Sequence, residues 1–119
     1  MKKKMYHLAH CSTCQAIIKE TEADLAGIEF QNIREEKITP KQLEEMKQLS
    51  GSYEALFSRR ALKYKELGLK DKQLTEEDYK NYILTEDTFL KRPVTILHKQ
   101  IFVGNDKKTV AALKEALKK

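Results

Sequence analysis

The sequence has no long hydrophobic run, and only two of its 119 residues are cysteine. No apolar stretch approaches the roughly 20 residues that a membrane-spanning helix needs. The short basic start leads into a strand-like run instead of the apolar region of a signal peptide. A secreted disulfide scaffold would use more cysteines at wider spacings. We therefore expect a cytoplasmic protein without membrane contact, whose cysteines serve redox or metal chemistry.

Positive charge is scarce where a nucleic-acid interface would need it. The formal net charge is +5, but residues 5–105 carry a net charge of −1, because the excess lies in residues 2–4 and 106–119. Only four of the 23 basic residues are arginines. A nucleic-acid interface normally has a basic stripe across the folded body, with arginine and aromatic residues interleaved. We expect solvated lysine-rich ends and no direct contact with nucleic acid.

The two cysteines, Cys11 and Cys14, form a C-x-x-C motif where a predicted strand gives way to a predicted helix. At such a junction the first backbone N–H groups are unsatisfied and the helix dipole is positive, and both stabilise a thiolate. The pKa of Cys11 should therefore fall well below the value of about 8.5 for a free cysteine. Cys14 lies one turn later on the same face, so we predict Cys11 as the nucleophile and Cys14 as the resolving thiol.

Two other interpretations of the motif stay open. His7 and His10 precede the cysteines as H-x-x-H-C-x-x-C, a possible zinc ligand set. A structural zinc site usually draws a second ligand pair from elsewhere, and only His98 remains, so we predict no metal site. The cysteines could instead be buried and unreactive. A c-type haem is excluded because Gln15, not histidine, follows Cys14.

The first third of the chain predicts a strand–helix–strand unit. Residues 4–9 form a short strand, residues 12–26 have apolar side chains at helical spacing up to Gly27, and residues 28–33 alternate apolar and polar side chains. A connection of this kind is right-handed, and its two strands are parallel.

The rest of the chain predicts a helical stretch, a hairpin and a last helix. The helical stretch carries a strong start signal at Thr39–Pro40. Beyond Pro93, short strands at residues 94–97 and 101–103 form a hairpin, and the last helix begins at Asn105 or Asp106.

This order of elements is typical of the thioredoxin fold. We predict an α/β protein, a thioredoxin-like fold whose mixed four-stranded sheet has flanking helices and whose two halves are separated by a helical insertion at about residues 37–89. The insertion is too short to bury a good core alone. Residues 1–119 are therefore predicted to form a single domain.

Three ordered motifs resemble the arsenate reductase and Spx family along nearly the whole chain. They are Cys11-Ser-Thr-Cys14, Leu56-Phe-Ser-Arg-Arg60 leading to Tyr64-Lys-Glu-Leu-Gly-Leu69, and Phe89-Leu-Lys-Arg-Pro-Val94. The resemblance implies the glutaredoxin-dependent reduction of arsenate. In such enzymes the first cysteine attacks the oxyanion, arginines bind it, and glutathione and glutaredoxin complete the reduction to arsenite. The expected partners are thus a small oxyanion and glutathione or a glutaredoxin as co-substrate, with no bound cofactor.

The resemblance also assigns anion-binding residues. Cys11 is the nucleophile, and Arg60 and Arg92 are the predicted oxyanion ligands, because a guanidinium group suits bidentate recognition of tetrahedral anions. Ser12 and Thr13, between the cysteines, complete the predicted anion-binding set.

Two further residues are predicted to support the site. A proline in the place of Pro93 is cis in thioredoxin-like folds and lies against the active cysteine, so a cis Arg92–Pro93 bond is expected. His7 matches a histidine position of the arsenate reductase branch, and it is equally compatible with simple packing in the first strand.

Two positions depart from the arsenate reductase pattern. Such enzymes carry an arginine after the hairpin, where this chain reads Phe102-Val-Gly-Asn105, which is closer to the Spx-like branch. The arginine of the helical motif falls on Ser58 in some arsenate reductases and on Arg60 in the Spx-like pattern. The alternative function is therefore an Spx-like regulator that binds RNA polymerase and uses a Cys11–Cys14 disulfide as a redox switch.

Overall fold

The computed structural model describes residues 3–118 of the chain. Its strands are β1 (Lys3–His7), β2 (Glu29–Asn32), β3 (Val94–Leu97) and β4 (Gln100–Val103). Its α-helices are α1 (Ser12–Thr21), α2 (Pro40–Ser50), α3 (Leu62–Glu66), α4 (Glu76–Thr85) and α5 (Lys107–Leu117), and several short 3-10 turns join them. None of the helices in this part of the chain is long and apolar enough to cross a membrane.

The chain forms two compact units, which we describe separately. The sheet unit consists of residues 3–36 and 92–118, and the helical unit consists of residues 37–91. The helical unit includes all of the insertion predicted at residues 37–89. That both units belong to a single domain stays a prediction.

The sheet unit contains the predicted mixed four-stranded sheet, in the order β2-β1-β3-β4. The central strand β1 runs parallel to β2 and antiparallel to β3, and β3 pairs with β4 as an antiparallel hairpin. β4 begins at Gln100, one residue earlier than expected, because His98 takes a left-handed conformation (φ 58°) that tightens the turn. The parallel β1–α1–β2 unit predicted from the sequence is therefore present.

One face of the sheet packs against α1 and α5. Its core consists of buried apolar side chains from the strands, the two helices and the segment between α1 and β2: Met5, Ile17, Ala23, Ile28, Leu97, Val110 and Leu113. Asp106, rather than Asn105, starts α5, since its carboxylate accepts the Thr109 backbone N–H at 3.2 Å and the Thr109 hydroxyl at 2.6 Å. This packing fixes the first helix, and hence the C-x-x-C motif, on the sheet.

The end of α1 differs from the sequence-based expectation. The helix ends at Thr21 and not near Ala26. The Thr21 hydroxyl donates to the Ile17 carbonyl at 2.7 Å, and Glu22 adopts a left-handed conformation (φ 56°) that ends the helix. Ala23, in the 3-10 turn that follows, is still buried in the same core, which explains why the apolar spacing continued past the true end.

The helical unit is organised by capped helices. Thr39 and Gln42 form a reciprocal capping box at the start of α2, and Thr75 and Asp78 form another at the start of α4. The carboxylate of Glu76 accepts the backbone N–H groups of Tyr53 (2.7 Å) and Glu54 (3.0 Å). Glu76 therefore joins the start of α4 to the 3-10 turn at Glu54–Leu56.

Aromatic side chains form the core of the helical unit. The ring of Phe57 stacks on Phe89 with centroids 5.0 Å apart, and it lies 4.9 Å from the ring of Tyr79. Tyr64 and Tyr82 contact the same ring at longer distances. Phe57 is fully buried, so the segment that the sequence motif marks as functional also supplies the centre of this core.

Candidate active site

Cys11 occupies the N-cap position of α1, in an extended conformation (φ −85°, ψ 114°). It ends a tight turn that connects β1 to α1, and its backbone N–H donates to the Leu8 carbonyl at 3.1 Å. The side chain is half-buried. The sequence thus folds locally so that the Cys11 sulfur lies at the positive end of a ten-residue helix.

The surroundings of Cys11 favour its thiolate. Burial alone raises the pKa of this thiol. Four interactions lower this pKa: the backbone N–H of Cys14, a hydrogen bond from the Cys14 thiol, the backbone N–H of Thr13 and the charge of Arg92. Together they outweigh the effect of burial, so the pKa of Cys11 lies below its ordinary value. Neither N–H group closes a capping hydrogen bond of standard geometry, so they act as nearby oriented dipoles. Cys11 is therefore the more acidic thiol of the pair.

Cys14 has the opposite character. It lies in the first turn of α1 and is fully buried, while both cysteines are free thiols. Burial, together with the hydrogen bond and the charge of Cys11, raises the pKa of Cys14 to about 11. Near neutral pH Cys14 is thus a protonated thiol that can donate a hydrogen bond to the Cys11 thiolate.

Arg92 and Pro93 lie in the sheet unit, at the entry to β3. The Arg92–Pro93 peptide bond is cis, as expected, and the Pro93 carbonyl accepts the Gly104 backbone N–H at 2.9 Å. The charge of Arg92 reaches both cysteines, where it lowers the pKa of each thiol. Its Nη1 atom is buried and has no hydrogen-bond partner among residues 3–118. The structure therefore places a buried cationic donor beside the Cys11–Cys14 pair.

His7, the last residue of β1, has a packing role that the structure makes visible. Its ring meets the Phe30 ring edge-on at 5.5 Å. Burial lowers the pKa of His7, against an opposing interaction with the Leu8 backbone. His7 is therefore a neutral, half-buried imidazole near neutral pH, and a supporting role in catalysis stays a prediction.

Ser12 and Thr13 are exposed in the first turn of α1, directly after Cys11. They form one end of a groove of about 750 Å³ between α1 and the start of α5. Its apolar lining residues are Ala16, Ile17 and Val110, and its other polar residues are Glu20, Asn105 and Lys107. The groove gives a small molecule a place to lie beside the nucleophile.

Arg60 belongs to the helical unit, in the turn before α3, and is exposed. Its backbone N–H donates to the Ser58 hydroxyl at 3.3 Å. Its neighbour Arg59 is engaged inside the same unit, where its Nη2 atom lies 2.9 Å from the Glu54 carboxylate and 3.0 Å from the Tyr79 hydroxyl. Arg59 is thus a structural residue, and anion binding by Arg60 stays a prediction.

Among residues 3–118, no three His, Cys, Asp or Glu side chains come together as a metal site would require. His10 is exposed in the turn before Cys11.

Two side chains that we did not predict, Gln15 and Asn32, contact the turn before Cys11. Neither belongs to a sequence motif, and only the tertiary structure reveals them.

The sheet topology, the cis-proline and the thiol pair at the start of the first helix define a thioredoxin-like protein with a helical insertion. The model of the ArsC family matches residues 6–113, and the chain belongs to this family. The resemblance drawn from the sequence motifs and the predicted fold are both confirmed.

Solved structures share this fold over nearly their whole length. An arsenate reductase from Vibrio cholerae is 21% identical with a TM-score of 0.78, and the match covers 95% of this chain and 98% of that chain. An ArsC family related protein from Bacteroides fragilis is 27% identical with a TM-score of 0.79, covering 95% and 99%. An arsenate reductase related protein from Brucella melitensis is 18% identical with a TM-score of 0.72, covering 94% and 93%. No curated protein sequence matches the chain significantly.

Proposed function

We propose that this chain is a cytoplasmic thiol oxidoreductase that reduces arsenate, or a related oxyanion or disulfide, with Cys11 as its nucleophile. The observation that carries the proposal is the placement of Cys11. Its sulfur lies at the start of α1, next to a protonated Cys14 and within reach of the charge of Arg92. A thiolate stabilised in this way is available for nucleophilic attack near neutral pH.

Arg92 is the proposed anion ligand of the sheet unit. A buried donor without a partner costs roughly 1–3 kcal/mol, and more when it is charged. The unpartnered Nη1 atom of Arg92 would be satisfied by an oxyanion oxygen through a charge-assisted hydrogen bond. The exposed Arg60 is the second proposed ligand, and this assignment rests on the family resemblance.

The proposed reaction uses two thiols for each arsenate. The Cys11 thiolate displaces one arsenate oxygen, which leaves as water once protonated, and a sulfur–arsenic bond forms. A second thiolate then attacks the Cys11 sulfur and forms a disulfide. The electron pair of the broken sulfur–arsenic bond stays on arsenic, so arsenic(V) becomes arsenic(III) while two thiols are oxidised.

An external thiol is the better candidate for the second step. The raised pKa of Cys14, about 11, keeps this thiol protonated near neutral pH, so it is a poor attacking group. The groove beside Ser12 and Thr13 carries a lysine, Lys107, and a glutamate, Glu20. These charges suit a small peptide thiol that has carboxylates and an ammonium group, such as glutathione. Glutaredoxin would then return Cys11 to the free thiol.

The proposal is tested by arsenate-dependent oxidation of glutathione in the presence of glutaredoxin. Wild type is compared with Cys11→Ser, Cys14→Ser and Arg60→Gln. We expect turnover to vanish in Cys11→Ser and to persist at a reduced level in Cys14→Ser. Loss of turnover in Arg60→Gln would support its role as second ligand. The absence of any thiol-dependent turnover with arsenate in wild type would refute arsenate as the substrate.

A redox-controlled regulator is the second candidate, and the hydrogen bond between the two thiols favours it. Because a hydrogen bond links the two thiols, an oxidant that removes two electrons and two protons would convert them into a disulfide. An Spx-like protein would bind RNA polymerase in that oxidised form. Polymerase should then be retained by the oxidised chain, and lost when Cys14→Ser prevents the disulfide. Equal retention of the reduced and oxidised forms would contradict a switch.

A further inference from the structure

The turn that carries Cys11 is held at a single residue, Ala9. The turn runs from Leu8 to Cys11 and is closed by the Cys11 N–H, which donates to the Leu8 carbonyl. Ala9 and His10 are its central residues. Both backbone polar groups of Ala9 are bonded by side chains from other parts of the sheet unit.

Asn32 holds the N–H of Ala9. Its Oδ1 atom accepts this N–H at 3.3 Å and also lies 3.5 Å from the Arg34 backbone N–H. Asn32 is the last residue of β2, where it is paired with His7, and the next N–H, of Ile33, donates to the His7 carbonyl at 2.9 Å. The oxygen that anchors the turn is therefore itself fixed by the sheet.

Gln15 holds the carbonyl of Ala9. Its Nε2 atom donates to this oxygen at 2.5 Å. The backbone N–H of Gln15 donates to the Cys11 carbonyl at 3.0 Å, as the first regular hydrogen bond of the helix. Gln15 thus bonds the turn before Cys11 through its side chain and the carbonyl of Cys11 itself through its backbone.

We propose that Asn32 and Gln15 are positioning residues for Cys11, which clamp Ala9 at its backbone N–H and at its backbone carbonyl and so hold the Cys11 sulfur over the first turn of α1. Neither side chain is assigned a contact with the sulfur. They act through the backbone, because the direction of the Cys11 side chain follows from how its turn enters the helix. The inference rests on the proposed function only in taking Cys11 as the reacting group.

Loosening the clamp should make Cys11 a weaker acid. The N–H groups of Thr13 and Cys14 stabilise the thiolate only while the sulfur stays close to them. The titratable and charged groups that act on Cys11 are the Cys14 thiol and Arg92, and the variants below leave both unchanged. Below the titration midpoint, the fraction of Cys11 that is present as thiolate should fall. The rate at which the fully formed Cys11 thiolate is alkylated should stay nearly the same.

The test is the pH dependence of Cys11 alkylation by iodoacetamide, followed on the Cys11 peptide by mass spectrometry. Gln15→Met keeps the side-chain size and removes the donor, and Asn32→Ala removes the acceptor. Gln48→Met is the matched control, since Gln48 is an exposed residue of α2 in the helical unit. Unfolding midpoints are recorded for every variant.

We expect each clamp variant to move the alkylation midpoint upward and to lower the rate on its acidic side about three- to tenfold, with the alkaline plateau within about twofold of wild type. The double variant should lose less than the product of the two single losses, because both side chains act on the same residue of the turn. Gln48→Met should match wild type.

An unchanged midpoint in folded Gln15→Met would overturn the proposal, whatever Asn32→Ala does. Since Gln15 is exposed, this variant should fold even if removal of Asn32 disturbs the end of β2. An equal shift in Gln48→Met would overturn it as well. The assay contains no oxyanion, so a failure of arsenate reduction leaves this result intact, and the two proposals fail separately.

Discussion

Replacing Arg92 by glutamine should lower the activity of the protein without lowering its stability. The guanidinium of Arg92 acts on both cysteines, and its buried Nη1 atom is unpartnered within the described part of the chain. In the proposed reaction this atom bonds the oxyanion. Loss of one charge-assisted contact to a buried oxyanion lowers kcat/KM roughly ten- to thousandfold. The variant also loses a charge that lowers the pKa of Cys11, which adds to the effect.

The folded state should not suffer from the same change. A buried unpaired donor costs about 1–3 kcal/mol, and more when it is charged; Arg92→Gln replaces the charged group by a shorter, neutral amide, although some packing of the side-chain methylene groups is lost. We expect the free energy of unfolding to stay level or rise by up to about 1 kcal/mol. For a chain of this length that is a rise in Tm of about 3–5 °C at most.

Arg59→Gln is the matched control, because it makes the same chemical change in a guanidinium whose Nη2 atom has hydrogen-bond partners. Arg59 pairs with Glu54 and donates to the Tyr79 hydroxyl. Its loss should cost about 1 kcal/mol of stability and leave turnover near the wild-type value. The two variants are compared by urea unfolding and by arsenate-dependent glutathione oxidation.

The opposite pattern would refute the reasoning. If Arg92→Gln unfolds several degrees earlier and still turns over arsenate at the wild-type rate, Arg92 is a structural residue. A loss of turnover in Arg59→Gln as large as in Arg92→Gln would show that the effect is not specific to the buried nitrogen.

Three other predictions follow from the thiol pair and the helical unit. Pulsed alkylation near neutral pH should label Cys11 long before Cys14, since the pKa of Cys14 is about 11 and that of Cys11 is lowered; equal labelling would contradict this. Because the unfolded chain loses the Cys14 proton near its ordinary pKa of 9.0 and the folded chain keeps it to about 11, stability should fall as the pH rises through this window, and this fall should be smaller in Cys14→Ala. Glu76→Ala should cost about 1–2 kcal/mol in urea unfolding, because its carboxylate accepts two backbone N–H groups; Glu77→Ala, an exposed acid of the same turn, should cost far less.

Structural features that depend on residues close together in the sequence could be predicted from the sequence alone. The capping box that begins with Thr39 needs only residues three positions apart, and α2 starts where these residues predict. The end of α1 was missed because the chain turns at Glu22, a residue type that rarely takes the left-handed conformation. The thiol pair was found because its position at a strand–helix junction is itself a local pattern.

Contacts between distant residues could not be predicted in this way. Asn32 reaches Ala9 across 23 positions of sequence, and no motif marks either residue. Arg59 and Arg60 are adjacent and chemically identical, yet only Arg59 is bonded to Glu54 and Tyr79. The direction in which the backbone points each side chain decides which of the two arginines has a structural role, and the sequence alone does not give this direction.

The recognition elements around Cys11 have a consequence for selectivity. A guanidinium nitrogen and the start of a helix respond to negative charge and tetrahedral shape, and phosphate and sulfate have both. Binding by Arg92 therefore gives little discrimination among these anions, and abundant phosphate should compete for the site. Discrimination then falls to the chemical step, since thiols reduce arsenic(V) readily and leave phosphorus(V) unchanged. In the proposed enzyme, selectivity therefore arises in the chemical step. Phosphate or sulfate binds and dissociates unchanged, and it only occupies the site while it is bound.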